Sequence, residues 1–396
     1  MIKRLLTGAL LGGALAVAGP VAVPVGAAAP DAENARQDLR DVVAERLWAA
    51  ADTTADTTAA AARVPKVNPT RRSGDWAFGT AVLATAPHGE AMPEGWLFVA
   101  HRTADGWRVA LEGEPAFAEL TAAAPVVTAA ERPLLAAQDG NRPEANVNGD
   151  GRTGMALPFA VGQTWGMPGG PHGWAGTPRP WSALDLAGGD QRVRAARGGT
   201  AYTMCRGWIR VIHDRGYATD YYHLWNNINV NGAAVSRGTY LGDTGTDVTC
   251  GGSAHGRHVH FALRHNSAYV GIANHNVGKW VLQEGGAAYQ GSALHGSTRA
   301  WYGGSVYNYG PLGFTQGVVD TNGGGVVNKR RGPGTGYAVA GTVADGATVS
   351  ISCSANGTTH TGRWGTTSLW NRLTDGTWVT DAFLWTGSAG AVNGYC

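Results

Sequence analysis

Short apolar runs separated by glycine-rich turns fill residues 157–281, and helical periodicity is nearly absent there. The runs predict strands over residues 183–187, 199–204, 208–213, 218–224, 240–242 and 257–263. Short strands joined by long loops favour an antiparallel sheet. This part of the chain is therefore predicted to be a β-sheet domain.

The regions on either side follow different patterns. Residues 31–50, rich in Ala, Arg, Glu and Leu, predict a helix, and the Thr and Ala repeats at 53–62 predict a linker. Apolar runs and an Asp105-Gly106 turn predict a β-meander over 76–113, followed by helix over 115–137. After a linker near residue 310, the apolar runs up to residue 385 predict a small β-barrel. The predicted fold class is mainly β, with an α+β region first and the barrel last.

The first residues have the pattern of a secretory signal peptide. Lys3 and Arg4 precede an apolar run, and small residues follow at positions 25–29. Glycines and prolines interrupt the run, which makes a membrane anchor the weaker interpretation. The 60 glycines, 15 tryptophans and 15% charged residues also suit a loop-rich extracellular protein. We expect a signal peptide over 1–29 and a secreted product.

The four cysteines fit two disulfides in an exported protein. Three pairings are possible, and the sequence neighbourhoods favour Cys205–Cys250 and Cys353–Cys396. None of the four has the close spacing of a structural zinc site.

Charge is distributed unevenly behind a net charge of +2. Residues 30–150 contain 18 acidic and 11 basic residues, whereas residues 151–396 contain 11 acidic and 18 basic. One hypothesis is an acidic propeptide that shields a basic mature enzyme with affinity for a polyanionic cell wall. The alternative is compositional drift without consequence.

Three histidines lie close together in the predicted strand at 255–263. His258 and His260 share one face of that strand, and Val259, Phe261 and Leu263 share the other. Two imidazoles two positions apart can converge on a zinc ion, although this pattern alone is a weak signal. His255 has the wrong parity and is expected outside the site.

Two further segments add candidate ligands. His172 lies in a Gly- and Pro-rich segment predicted to be a loop, and Asp185 follows thirteen positions later in a predicted strand. His223 ends an aromatic-rich strand. Three protein ligands from a loop and two strands would leave a fourth position for water, as catalytic zinc requires.

Three motifs, in their order along the chain, resemble those of the M23 zinc endopeptidases of the lysostaphin and β-lytic type. They are His172 with Asp185, then Tyr222-His223-Leu224, then His258-Val259-His260-Phe261. The resemblance covers about residues 155–310, and the long interval between His172 and Asp185 is similar to the β-lytic branch. The segment from Asn328 to Tyr337 resembles bacterial SH3-like wall-binding domains.

The resemblance implies that His172, Asp185 and His260 bind one Zn²⁺ per chain. It implies that His223 and His258 are the non-ligand catalytic histidines. We assign proton transfer to His258 and oxyanion or water stabilisation to His223, with the two roles exchangeable. The implied substrate is bacterial peptidoglycan, with glycine-containing crosslinks.

Several residues near the site carry alternative interpretations. Trp174 and Tyr222 are candidates for lining a substrate groove, or they belong to a core. Residues 146–151 resemble the start of a calcium loop but lack its carboxylates, and are expected to form an exposed linker. The remaining histidines of the second half are expected at the surface: His213, His255, His265, His275, His295 and His360.

The sequence thus predicts four regions: a signal peptide over 1–29, an acidic propeptide over 30–150, a zinc peptidase over 151–312, and a wall-binding SH3-like domain over 313–396. Expected partners are peptidoglycan and anionic wall polymers. We expect no nucleic-acid partner, no membrane association of the mature form, and a monomer. Two alternatives remain: a non-enzymatic wall-binding protein with a degenerate metal site, and a secreted protease acting on glycine-rich proteins.

Overall fold

The structure, a computed structural model, describes residues 38–52, 63–140 and 150–396. The predicted signal peptide, the predicted linker at 53–62 and residues 146–149 of the calcium-like segment lie outside these ranges. None of the described helices is long and apolar enough to cross a membrane.

The N-terminal region is a four-stranded antiparallel sheet, ordered β1-β2-β3-β4, with three helices. Its elements are α1 Leu39–Asp52, β1 Val64–Ser73, β2 Trp76–Ala84, β3 Glu94–Thr103, β4 Gly106–Leu111, α2 Pro115–Ala123 and α3 Arg132–Ala136. The predicted meander is present, and the first predicted helix is present from Leu39 onward. The helix predicted over 115–137 is instead two short helices separated by turns. Strand β1 was not predicted, because prolines and basic residues interrupt its pattern and it lies at the edge of the sheet.

The middle region is built on a nine-stranded antiparallel sheet, ordered β11-β8-β9-β10-β13-β6-β5-β19, with β14 beside β13. Two smaller sheets flank it, β12-β7 and β15-β16-β17-β18. The strands are β5 Thr164–His172, β6 Ala183–Ala187, β7 Arg192–Arg194, β8 Gly199–Cys205, β9 Trp208–Ile212, β10 Tyr217–Tyr222, β11 Asn231–Val235, β12 Tyr240–Asp243, β13 Val259–His265, β14 Ala268–Tyr269, β15 Asn276–Val277, β16 Trp280–Glu284, β17 Gly291–His295, β18 Thr298–Trp301 and β19 Ser305–Tyr307.

The last region forms a seven-stranded antiparallel sheet, ordered β22-β21-β25-β24-β23-β20-β26. Its elements are β20 Gln316–Val319, β21 Val326–Arg330, β22 Val339–Ala344, β23 Thr348–Gly362, β24 Gly365–Leu373, β25 Trp378–Thr380, a 3₁₀ turn Asp381–Phe383, and β26 Leu384–Trp385. The mainly β, antiparallel fold class is therefore confirmed. Both favoured disulfides, Cys205–Cys250 and Cys353–Cys396, are also present.

The two faces of the central sheet bury different partners. Phe261 and Leu263 of β13 point into the large core of the middle region. Ala262, on the other face, belongs to a second core with Phe78 and Phe117 of the N-terminal region. Because His260 and Ala262 share a face, the N-terminal region covers the side of the sheet that carries the predicted ligand.

Candidate metal centre

Asp185 and His260 meet at the centre of the sheet. Strand β13 pairs with β6 so that His260 lies directly opposite Asp185. His172, predicted to lie in a loop, is instead the last residue of the bulged strand β5, which pairs with the other edge of β6. The glycines and proline of this segment bend the strand and do not end it. A side chain at Gly169 would lie 2.5 Å from Asp185 Oδ2, so glycine is needed where the carboxylate passes.

Three ligand atoms converge at this point. His172 Nε2 lies 3.1 Å from His260 Nδ1 and 3.4 Å from Asp185 Oδ1, and His260 Nδ1 lies 3.2 Å from Asp185 Oδ1. Tetrahedral zinc bonds of about 2.0–2.1 Å place neighbouring ligand atoms roughly 3.3 Å apart. Among the described residues, these three form a group that could hold a metal ion.

The protonation of the group also suits a cation. His172 Nδ1 donates to the Gly170 carbonyl at 2.7 Å, which leaves the Nε2 lone pair directed at the other two ligands. Burial would raise the pKa of Asp185, but His172 and His260 hold it well below its ordinary value. His172 Nε2, His260 Nδ1 and the Asp185 carboxylate therefore face one another, and a single cation would satisfy all three.

Two more imidazoles face the same space. His258 precedes β13, bridges to Gly245, and its Nε2 lies 3.5 Å from Asp185 Oδ1. The rings of His223 and His258 are 4.9 Å apart. Each Nδ1 donates to a backbone carbonyl, from His223 to Asp247 at 3.0 Å and from His258 to Gly256 at 2.8 Å. Both Nε2 atoms are thus left as proton acceptors.

His223 is held in an unusual state. Its backbone adopts a left-handed conformation with φ of 68°, which is uncommon for a residue other than glycine and directs the ring into the site. Burial and the nearby imidazoles of His258 and His260 lower its pKa to about 3. The ring is therefore neutral near physiological pH, as a proton acceptor must be.

The site opens into a cavity of about 520 Å³. The predicted residues Trp174, Asp185, His223, His258 and His260 line it. His255 lies at its rim, exposed and apart from the ligands. Glu90 and Met92 of the N-terminal region form part of the wall.

The two predicted substrate-lining residues have different positions. Trp174 lines the cavity, is 6% exposed, and donates its indole N–H to the Pro93 carbonyl at 2.8 Å. Tyr222 is fully buried, and its hydroxyl donates to the Gly251 carbonyl at 2.7 Å. Of the two interpretations, Tyr222 fits the core and does not line the cavity, because its ring is buried against His223 and Trp174.

Tyr289 was not predicted and belongs to the site. Its ring stacks on His172 with centroids 3.9 Å apart, and it lines the cavity. Its backbone is left-handed, with φ of 68°. Nothing in the surrounding sequence marks Tyr289, since the contact depends on a loop that passes over β5.

The assignment of the remaining histidines to the surface was largely wrong. Four of them are buried because each ring finds a polar partner or an aromatic neighbour inside the fold: His213, His265, His275 and His295. His360 is half-buried beside Trp370.

No family model matches the chain. Over 147 residues it is 35% identical to protease LasA of Pseudomonas aeruginosa, covering 34% of this chain and 35% of that protein. It is 28% identical over 147 residues to the beta-lytic metalloendopeptidase of Lysobacter enzymogenes, 82% of whose length is covered. The chain thus spans about a third of the length of LasA.

A solved structure of the deep-sea M23 metalloprotease pseudoalterin is 31% identical, covering 39% of this chain and 97% of that one, with a TM-score of 0.37. The similarities to named proteases support a metallopeptidase of this type over part of the chain.

Proposed function

Starting from a chain that is, over part of its length, an M23-type metallopeptidase, we propose a secreted zinc-dependent endopeptidase that cuts the peptides of bacterial peptidoglycan. The observation that carries this proposal is the convergence of His172 Nε2, Asp185 Oδ1 and His260 Nδ1 within 3.1–3.4 Å, beside the imidazoles of His223 and His258. Glycine-containing crosslinks are the proposed substrate class, on the family resemblance.

His172, Asp185 and His260 would hold the ion. Zinc bound there would supply a Lewis acid that polarises the scissile carbonyl and makes a water acidic near neutral pH. His258, with Nε2 free, takes the proton from the attacking water and returns it to the leaving nitrogen. His223, whose Nδ1 donates to the Asp247 carbonyl, would accept a hydrogen bond from the attacking water at its unprotonated Nε2 and so orient that water. The two histidines can exchange these roles.

The other regions receive proposed roles in the same scheme. Residues 30–150 act as a propeptide, since the described part of this region packs on the sheet face that carries the ligands. Residues 313–396 bind the cell wall, on their resemblance to SH3-like domains. Release of the acidic N-terminal region would leave a basic enzyme suited to anionic wall polymers.

The test is digestion of purified peptidoglycan, followed by turbidity and by mass spectrometry of the released fragments. We expect clearing that a chelator stops and added zinc restores, with fragments cut inside the peptide. Elastin, digested in parallel, separates wall specificity from a general activity on glycine-rich proteins. Equal clearing by wild type and His260→Ala would overturn the proposed mechanism.

A further inference from the structure

An arginine pair lies on the same sheet face as the candidate metal centre. Arg264 is four residues after His260 on β13 and shares its face, about 13 Å along the strand. Arg210 of β9 lies opposite Asp220 of β10, which in turn lies opposite Ala262. Both guanidinium groups are buried, Arg210 completely and Arg264 at 4% exposure.

A carboxylate of the N-terminal region occupies this pair. Glu112 Oε2 accepts from Arg210 Nη1 at 2.8 Å, and Glu112 Oε1 lies 3.9 Å from Arg264 Nη2. Arg210 Nη1 also donates to the Gly95 carbonyl at 3.0 Å. The side chains of Glu112, Arg210 and Arg264 are all buried, as is Gly95. Among the described residues, Glu112 Oε1 and Arg264 Nε have no hydrogen-bond partner. Glu112 Oε2 also accepts from the Leu97 backbone N–H at 3.2 Å, whereas Glu112 Oε1 faces Arg264 without a hydrogen bond.

Glu112 balances one of the two buried positive charges of Arg210 and Arg264. Asp220 accepts from Arg210 Nε at 2.9 Å and Nη2 at 3.0 Å and from Tyr269 at 2.9 Å, and so neutralises one arginine. The second positive charge is balanced by Glu112. Without Glu112, one uncompensated buried charge would remain, and this is costly unless another anion replaces it.

Aromatic rings connect the arginine pair to the metal centre. Trp174 packs against His260 with centroids 5.1 Å apart and stacks on Tyr269 at 5.1 Å. Arg264 lies over the Tyr269 ring, 4.6 Å from its centroid. The N-terminal region covers this surface through Pro93 at Trp174 and Gly95 at Trp208.

We propose that Arg210 and Arg264 form a carboxylate-binding site of the processed enzyme, which Glu112 fills in the unprocessed chain. The ligand is an extended peptide with a free carboxylate about four residues from the bond at the metal centre, since extended residues advance about 3.3 Å each. This inference rests on the proposed function, because it assumes that the N-terminal region is released.

The experiment uses the full chain with a specific protease site placed between Gly140 and Asp150, cleaved after folding. The probes are acetyl-hexaglycine with a free carboxylate and its C-terminal amide. Their dissociation constants are measured by calorimetry with the metal removed by a chelator. We expect the acid to bind at least ten times more tightly than the amide.

Arg264→Gln should remove this preference, while Arg299→Gln, a change on the separate strand β18, should preserve it. Equal affinities for acid and amide in the cleaved wild type would overturn the proposal, as would a preference that survives Arg264→Gln. An N-terminal region that stays bound after cleavage would also count against it. The acid–amide comparison needs no variant, so a folding failure of Arg264→Gln leaves the test intact.

Binding without metal does not depend on hydrolysis. A cleaved chain that prefers the acid but never digests peptidoglycan would refute the proposed function alone. A chain that digests peptidoglycan and binds both probes equally would refute the carboxylate site alone.

Discussion

His172 Nε2 lies 3.1 Å from His260 Nδ1, although 88 residues separate them along the chain. Strands β5 and β13 are not hydrogen-bonded to each other, since β6 lies between them and brings Asp185 into the gap. Three adjacent strands therefore supply one ligand each. The site depends on sheet register, because a shift of one residue would turn a ligand to the opposite face.

Substitution of a metal ligand and substitution of a proton-transfer histidine should have different effects on metal content. His260→Ala is expected to lose both metal and hydrolysis, whereas His223→Ala and His258→Ala keep the metal and lose about 10²–10⁴-fold in kcat/KM. Metal content by mass spectrometry and hydrolysis of a glycine-containing peptide measure the two effects. His255→Ala, a change in an exposed residue outside the ligand group, is the control. A metal-free His258→Ala would contradict the assignment.

Tyr289 should act on the metal through His172. Loss of the ring stacked at 3.9 Å frees the imidazole to move, so Tyr289→Ala is expected to weaken zinc affinity about tenfold. Tyr289→Phe keeps the stacked ring and should keep the affinity. Competition with a zinc chelator measures both variants. If Tyr289→Phe bound zinc as weakly as Tyr289→Ala, the hydroxyl and not the ring stacking would be responsible for the zinc affinity.

Asp381 should make the last region less stable as pH rises. Burial raises its pKa to about 6, against 3.8 for the ordinary carboxyl group, and Asn371 Nδ2 donates to it at 2.8 Å. Between these pH values the folded state binds more protons than the unfolded state, so stability is fully present below pH 4 and falls up to pH 6. The loss is of order 2–3 kcal/mol.

Asp381→Asn keeps an acceptor for Asn371 and removes the charge, so it should abolish this part of the pH dependence and stabilise the region at neutral pH. Denaturant unfolding of both proteins at pH 4 and pH 7 gives the comparison. Asp375→Asn is the control, because Asp375 is exposed and its pKa is lowered to about 2, mainly by Lys329 and Thr377. An identical pH profile for wild type and Asp381→Asn would refute the assignment.

The disulfide Cys353–Cys396 should hold the C-terminal end on β23. It closes a loop with a sequence separation of 43 residues, and the backbone of Cys396 also donates to Ser354. Replacing both cysteines by serine is expected to cost about 2–4 kcal/mol, because the unfolded chain regains loop freedom. Guanidinium unfolding of this region measures the loss. An unchanged midpoint would mean that the backbone contacts of the last residues are sufficient without the crosslink.

Much of the strand pattern could be predicted from local sequence. Period-two alternation and glycine turns located β6, β8, β9, β10, β12 and β13 within about two residues. The alternation on β13 also separated His260 from Phe261 and Leu263 correctly, since each face has its own core. Several strands of the first two regions were not predicted, because they are very short, lack a clear alternation of side chains or lie at sheet edges: β1, β5, β7, β11 and β14 to β19.

Burial of polar side chains was beyond local reasoning. His213 and His275 are buried because partners distant in sequence or folded back in space surround their rings, and no local pattern records such partners. The stacking of Tyr289 on His172 likewise joins segments that are distant in sequence. Tyr222 lies directly opposite His260, on the ligand-bearing face, but its ring is buried against Trp174 and His223 by contacts that the local sequence does not record.

The sequence by itself determined which residue types could form the site, since the spacing of His172, Asp185, His223, His258 and His260 and the parity of β13 are local properties. Only the tertiary structure decided that three ligand atoms meet within 3.4 Å. It also decided that Glu112 reaches Arg210 across 98 residues and that the N-terminal region covers the ligand-bearing face. The physical reason is that strand register and packing between distant segments depend on the whole sheet, which no local window of sequence contains.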